Sequence, residues 1–162
     1  MIKFSASICI DAPASKVWTA LSDLDSIHVW SDSIHRSYCE GEQTRGVNAV
    51  RVCELGGNVT VKETVIAWDE GHSFTYTGQG IPLIKRAANS WRVEEKGQQT
   101  LVTSLAELQV KGGVLGRVFE PILLLVSAQM GRKSLAAFKY LVEHGKPYEG
   151  NANKRLPMPK IC

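Results

Sequence analysis

A strand pattern that passes directly into a helix pattern near the start of the chain constrains the fold most strongly. Alternate residues from Ile2 to Ile10 are apolar, a period of two that is typical of a strand with one buried face. Pro13 follows, a residue that the first turn of a helix tolerates. Trp18 and Leu21 then continue with helical spacing. The sequence therefore predicts a strand followed at once by a short helix.

The middle of the chain alternates in the same way and is predicted to form six further strands. A second short helix is predicted over Asp23–Asp32, before the first of them. Turn-forming segments such as Gly56-Gly57-Asn58 separate the strands, and tight turns favour antiparallel neighbours. The strands are predicted over Ser33–Glu40, Val47–Leu55, Asn58–Trp68, His72–Thr77, Arg86–Glu95 and Gln99–Lys111.

A long helical pattern over Val114–His144 ends the predicted domain, which comprises residues 1–145. The apolar stripe of this helix changes face near Gly131, which predicts either a kink or a change of packing partner there. Residues 146–162 are rich in Pro, Gly, Asn and Lys and are predicted to form a flexible tail. Docking of this tail on a neighbouring subunit, and with it a homodimer, stays an open alternative.

The two ends of the predicted domain together resemble a known family. Asp11-Ala12-Pro13 with Val17-Trp18, followed far along the chain by the long last helix, resembles the START-like or Bet v 1-like (SRPBCC) superfamily. The resemblance is closest to its polyketide cyclase/dehydrase and lipid-transport branch and covers roughly residues 2–145. It implies an α+β helix-grip fold, in which a seven-stranded curved antiparallel sheet wraps around the C-terminal helix and encloses an apolar cavity.

Composition narrows the classes of function. The chain has 162 residues, of which 44% are hydrophobic and 22% charged, as expected for one globular domain. A net charge of +3, scattered along the chain, does not favour a nucleic-acid partner. The sequence has no apolar run long enough for a membrane span and opens into a strand instead of a signal peptide, so a cytoplasmic location is predicted.

The cysteines and histidines give no metal or redox motif. Cys9, Cys39, Cys53 and Cys162 have no CxxC spacing and are predicted to be free thiols in a reducing compartment. The four histidines are dispersed along the chain, so neither a metal site nor a cofactor is predicted.

Polar residues interrupt several faces that are predicted to point inward. Glu63 lies among valines, Asn89 shares a face with Trp91, and Ser104 interrupts an apolar row. A buried polar group is costly unless it is paired or wetted, but a few such groups in an apolar pocket orient a ligand. The alternative for each is a rim position in solvent. The predicted ligand-binding residues are Trp30, Glu63, Phe74, Tyr76, Asn89, Trp91, Val102, Ser104, Ala106, Leu108, Ile122, Val126 and Gln129.

Three functions fit this pattern. The first is a carrier or sensor of a small hydrophobic or aromatic molecule, lipid-like or polyketide-like. The second is a polyketide cyclase or dehydratase, with Glu63 as general acid or base and Tyr76 or Asn89 as an orienting donor. No catalytic set of the resembled enzymes can be matched residue by residue, so catalysis is left open. The third is a partner-binding domain without a ligand, in which the apolar tip of the Gly78–Lys85 loop contacts another chain.

Overall fold

A seven-stranded antiparallel sheet dominates the computed structural model, which describes residues 2–112, 120–149 and 162. The strands are β1 (Ile2–Ile10), β2 (Ile34–Glu40), β3 (Val50–Leu55), β4 (Val59–Asp69), β5 (Ser73–Gln79), β6 (Ile84–Lys96) and β7 (Gln99–Val110). Their order is β1-β7-β6-β5-β4-β3-β2, so strands adjacent in sequence pair from β2 onward and β1 joins beside β7. This is the curved antiparallel sheet that the sequence predicted.

In the described part of the chain, two α-helices, a six-residue 3₁₀ helix and a short 3₁₀ turn at Gly56–Asn58 accompany the sheet. Helix α1 (Ala14–Leu21) begins directly after Pro13, whose backbone is extended. The 3₁₀ helix (Leu24–Val29) follows where the second short helix was predicted, and α2 (Glu120–His144) is the long C-terminal helix. The predicted start of the last helix, residues 114–119, lies outside the described residues. None of the described helices is long and apolar enough to cross a membrane.

Strand boundaries differ from the predictions where the backbone turns sharply. Strand β3 begins at Val50, three residues later than predicted, because Gly46 and Asn48 take positive φ angles of 85° and 73° that interrupt an extended chain. Strands β5 and β6 both extend further into the Gly78–Lys85 segment than predicted, which leaves a loop of only a few residues. Gly80 in this loop lies so close to the Thr60 carbonyl that a Cβ would be 2.3 Å from its oxygen.

The hydrophobic core lies between one face of the sheet, α1, the 3₁₀ helix and the second half of α2. Phe138 and Leu135 of α2 are fully buried, whereas Ile122, Leu125 and Val126 are 62%, 71% and 48% exposed. Helix α2 is continuous through Gly131, and its fully buried residues lie beyond that point. The sequence did not predict that its first half would be so exposed.

A disulfide between Cys9 and Cys162 corrects the prediction of four free thiols. Their Cα atoms are 5.1 Å apart, and the bond ties the last residue of the chain to strand β1. Cys39 and Cys53 are free. The pairing joins residues 153 apart in sequence, so no local spacing could indicate it. Because disulfides are typical of oxidising compartments, this bond gives no support to the predicted reducing environment.

Candidate functional site

The inward face of the sheet collects residues from five neighbouring strands. Because side chains alternate along a strand, the register places cross-strand partners on the same face. Tyr76 of β5 lies opposite Asn89 of β6, and Trp91 of β6 lies opposite Ser104 of β7. Glu63 of β4 lies opposite Arg51 of β3 on the same face. The polar residues that the sequence predicted to interrupt apolar faces are therefore side by side.

An ion pair lies at one end of this face. Nε and Nη2 of Arg51 lie 2.7 Å and 2.6 Å from Oε2 of Glu63. The Cys53 thiol also donates to Oε2, at 3.6 Å. The Arg51 side chain is 3% exposed and that of Glu63 14%, so the pair is largely removed from water. All three donors converge on one carboxylate oxygen, and no described side chain bonds Oε1.

A row of hydrogen bonds continues from the ion pair across the sheet. The Arg51 guanidinium lies over the Tyr76 ring, with Cζ 5.0 Å from the ring centroid, a cation–π arrangement. Asn89 Nδ2 donates to the Tyr76 hydroxyl at 3.2 Å, and Ser104 Oγ donates to Asn89 Oδ1 at 3.0 Å. We call Arg51, Glu63, Tyr76, Asn89 and Ser104 the polar row.

Burial and neighbouring charges determine the protonation states of Tyr76, Arg51 and the adjacent Cys53. Burial and the nearby Glu63 carboxylate raise the pKa of Tyr76 well above its usual range, so the phenol stays protonated. Burial lowers the pKa of Arg51, but Glu63, Tyr76 and Cys53 outweigh this effect and raise it overall. Burial has the largest effect on the Cys53 thiol and the nearby Glu63 carboxylate the next largest, and together they raise its pKa to about 12. Tyr76 is therefore available as a hydrogen-bond donor, and Cys53 is not a thiolate nucleophile.

Aromatic rings surround the polar row. Phe74 stacks on Tyr76, with their centroids 6.2 Å apart. The Trp30 ring meets Trp91 edge to face at 5.9 Å and lies 5.0 Å from Phe138 of α2. Trp30 thereby connects the 3₁₀ helix, the inward face and α2. Rings and polar groups arranged in this way are typical of sites that hold small aromatic or apolar molecules.

The structure brings together most, but not all, of the predicted ligand-binding residues. The strand residues share the inward face, and Trp30 reaches it from the 3₁₀ helix. Three residues of α2 do not pack against this face: Ile122 and Val126 are 62% and 48% exposed, and Gln129 is also exposed. The apolar stripe of α2 wrongly predicted that these three residues face the sheet, because α2 packs on the core only from about Leu135 onward. The residues on the inward face are Glu63, Phe74, Tyr76, Asn89, Trp91, Val102, Ser104, Ala106 and Leu108.

Sequence reasoning missed Arg51, although it is the most buried charged residue of the site. It lies in a strand where Val50 and Val52 flank it, a pattern that by itself indicates a solvent-facing charge. The available signal was Glu63: a carboxylate on an inward face requires a cation, and the neighbouring strand supplies one directly opposite.

The comparison with protein families covers most of the chain. Residues 1–143 match the family model described as polyketide cyclase/dehydrase and lipid transport. The chain belongs to this family. The resemblance seen in the sequence is thereby confirmed, and the seven-stranded sheet with its long last helix agrees with the helix-grip fold. No curated protein sequence matches the chain.

Solved structures of similar fold include an aromatase/cyclase together with proteins of other kinds. TTHA0849 from Thermus thermophilus has a TM-score of 0.74 at 15% identity, over 87% of this chain and 97% of that one. The Zhui aromatase/cyclase from Streptomyces sp. R1128 has a TM-score of 0.72 at 13% identity, over 91% and 99%. Ara h 8.0201 has a TM-score of 0.66 at 15% identity, over 87% and 97%. At these identities this family member shares their fold, and its activity must be argued from its own residues.

Proposed function

We propose that this chain binds one small hydrophobic or aromatic molecule against the inward face of its sheet. The observation that carries the proposal is the polar row itself, five hydrogen-bonded or ion-paired side chains on a face whose other residues are apolar or aromatic. A core that served packing alone would be at least as stable with apolar residues at these positions. Membership of the polyketide cyclase/dehydrase and lipid-transport family supports the same function.

The polar row supplies orientation for such a ligand. The Tyr76 oxygen accepts from Asn89, so the phenolic hydrogen is free to donate to a ligand oxygen. Glu63 Oε1 has no bond from the described side chains and is free to accept from a ligand hydroxyl. One donor and one acceptor in an apolar setting would favour a molecule that carries a few oxygen atoms on a ring or chain.

The test uses N-phenyl-1-naphthylamine, an uncharged apolar probe whose fluorescence rises in apolar sites. We expect it to bind with about one site per chain, as one pocket requires. Ala106 lies on the inward face and is 8% exposed, so the indole of Ala106→Trp should occupy the proposed ligand position and abolish binding. The matched control is Leu105→Trp, because Leu105 is the preceding residue on the opposite face and is 37% exposed. Equal binding by both variants would place the probe on the surface and refute the proposal.

A cyclase or dehydratase is the second candidate, favoured by the free Oε1 of Glu63 beside the protonated Tyr76. In this role Glu63 would abstract a proton from a bound keto compound, and Tyr76 or Asn89 would donate to the oxygen that gains charge. Glu63→Gln would then stop turnover while probe binding persists. A carrier would instead leave every keto compound offered unchanged.

A partner-binding domain remains the third candidate, because Leu83 at the tip of the β5–β6 loop is 67% exposed. Leu83→Asp would then abolish a complex without changing probe binding. A homodimer formed through the same tip would be detected by light scattering.

A further inference from the structure

Apolar side chains are exposed over a wide arc of the first half of α2. The exposed residues are Ile122, Leu124, Leu125 and Val126, at 62%, 37%, 71% and 48%. Leu123, between the first two of them, is half-buried. Because successive residues of an α-helix point about 100° apart, the four exposed side chains span an arc of about 200°. This half of the helix is therefore open to its surroundings on more than one side.

The exposed half of α2 projects past one end of the sheet. A Cβ on Gly131 would be 3.5 Å from Cε2 of Phe4, and Lys139 Nζ donates to the Cys9 carbonyl at 2.7 Å. Helix α2 therefore runs alongside β1 in the same direction. Ile122 precedes Gly131 by nine residues, about 14 Å of helix. Only two residues of β1, about 7 Å of strand, precede Phe4, so the helix extends beyond the start of β1.

The tip of the β5–β6 loop adds an exposed apolar residue and several cations at the same end of the sheet. The backbone N–H of Lys111 donates to the Leu83 carbonyl at 2.8 Å, where β7 ends beside the first residues of β1. Leu83 is 67% exposed. Lys85, Arg86 and Lys111 are exposed as well, and none of the three forms an ion pair with a described carboxylate.

Shape and charge together favour an anionic lipid surface over a protein as the partner of this end. A helix that packs on one surface buries a stripe of about 100°, roughly half of the exposed arc. Lipid, in contrast, surrounds an inserted segment. A symmetric pairing with a second copy would bring the same cations face to face, which is unfavourable. Asp32, just before β2 at the same end, offsets only one of the three positive charges.

We propose that the first half of α2 and the tip of the β5–β6 loop dock together on an anionic membrane surface. The exposed apolar side chains enter the boundary between headgroups and acyl chains, and Lys85, Arg86 and Lys111 lie at the anionic headgroups. Apolar residues bordered by basic ones are typical of segments that bind such surfaces. This docking goes beyond ligand binding at the inward face and does not depend on it.

The test is co-sedimentation of the full chain with vesicles of phosphatidylcholine, without or with about one-third phosphatidylserine. Each cation near an anionic surface strengthens binding about fivefold, so the three should make the mixed vesicles bind about a hundredfold more tightly. Lys111→Gln should weaken binding to the mixed vesicles about fivefold. The control is Lys16→Gln, which removes the same charge from an exposed residue of α1 at the opposite end of the sheet and should cost less than about twofold.

Leu125→Asp tests the apolar part of the surface, and Val47→Asp is its matched control. Leu125 is 71% exposed, so the fold should persist, while binding to the mixed vesicles should fall at least about tenfold. Val47 is 44% exposed and precedes β3 at the opposite end of the sheet, so the same change of charge there should cost less than about twofold. Binding of N-phenyl-1-naphthylamine in the absence of vesicles should be the same in Leu125→Asp as in the unmodified protein.

Three results would contradict membrane docking. Failure to bind the mixed vesicles, or equal binding to both kinds of vesicle, would remove the role of the cations. Equal losses in Leu125→Asp and Val47→Asp would mean that net charge alone attracts the protein. A dimer in light scattering that Leu125→Asp abolishes, without any vesicle binding, would assign the surface to a second copy. Each of these results leaves probe binding at the inward face, and with it the proposed function, untouched.

Discussion

Removal of the Glu63 charge should destabilise the fold far more than removal of a surface carboxylate. Arg51 is 3% exposed and both of its bonding nitrogens lie within 2.7 Å of Glu63, so Glu63→Gln leaves a buried guanidinium without a counter-charge. Breaking a buried ion pair from one side costs about 3–5 kcal/mol. Because glutamine keeps one acceptor oxygen for Arg51, we expect the lower end, about 3 kcal/mol.

Urea unfolding followed by circular dichroism measures this loss, with Glu40→Gln as the control. Glu40 pairs with Lys62 at 2.9 Å, but both side chains are about half exposed, at 53% and 55%. Exposed pairs of this kind contribute about 0–1 kcal/mol, so the control should unfold almost as the unmodified chain does. The contrast between the two variants isolates the effect of burial from the effect of losing a carboxylate.

A double variant tests whether the loss of stability in Glu63→Gln comes from the unpaired charge of Arg51. Replacement of both Arg51 and Glu63 by methionine removes both charges, and we expect it to be more stable than Glu63→Gln. If Glu63→Gln costs less than about 1 kcal/mol, as an exposed pair would, the pair is solvated. The inward face would then not be the apolar environment described here.

Three further predictions concern other parts of the molecule. Trp18→Ala should lower the free energy of unfolding by about 3–5 kcal/mol, since Trp18 is 5% exposed against Trp68 and Phe74; an unchanged melting temperature would contradict its placement. Burial raises the pKa of Tyr76 above its usual 10.0, so the unfolded chain loses this proton first and stability should fall as pH rises above 10; Tyr76→Phe should show a shallower alkaline loss, and an identical one would contradict it. Cys162→Ser should cost up to about 5 kcal/mol without abolishing the fold, and a reductant should erase the difference from the unmodified protein; a difference that persists under reductant would show that the disulfide is not its source.

The sequence predicted the strands and their order along the chain because alternation and turn residues are local signals. Where the backbone turns at positive φ, as at Asn48, propensity places the strand start too early. Four of the five residues of the polar row are predicted by the sequence, and only Arg51 required the β3–β4 register to be recognised.

Long-range features were not predictable in the same way. The Cys9–Cys162 bond joins the two ends of the chain, and nothing in the local sequence of either residue distinguishes it from a free thiol. Likewise, an apolar stripe on α2 shows that a face can be buried, but not what covers it. Ile122 and Leu125 are exposed because the described elements reach only the second half of the helix.

The indole N–H resonances of the four tryptophans provide the most direct test of ligand binding. Trp30 and Trp91 lie at the proposed site, whereas the indole N–H groups of Trp18 and Trp68 both donate to Glu70, at 2.8 Å and 2.7 Å. In a titration of ¹⁵N-labelled protein with N-phenyl-1-naphthylamine, we predict that the Trp30 and Trp91 signals shift and saturate together at about one probe per chain, as one pocket requires. The Trp18 and Trp68 signals should shift less, because Glu70 accepts from both indole N–H groups and the two rings reach the site only through Phe74. Shifts confined to Trp18 and Trp68, or no shift in any of the four, would contradict binding at the inward face.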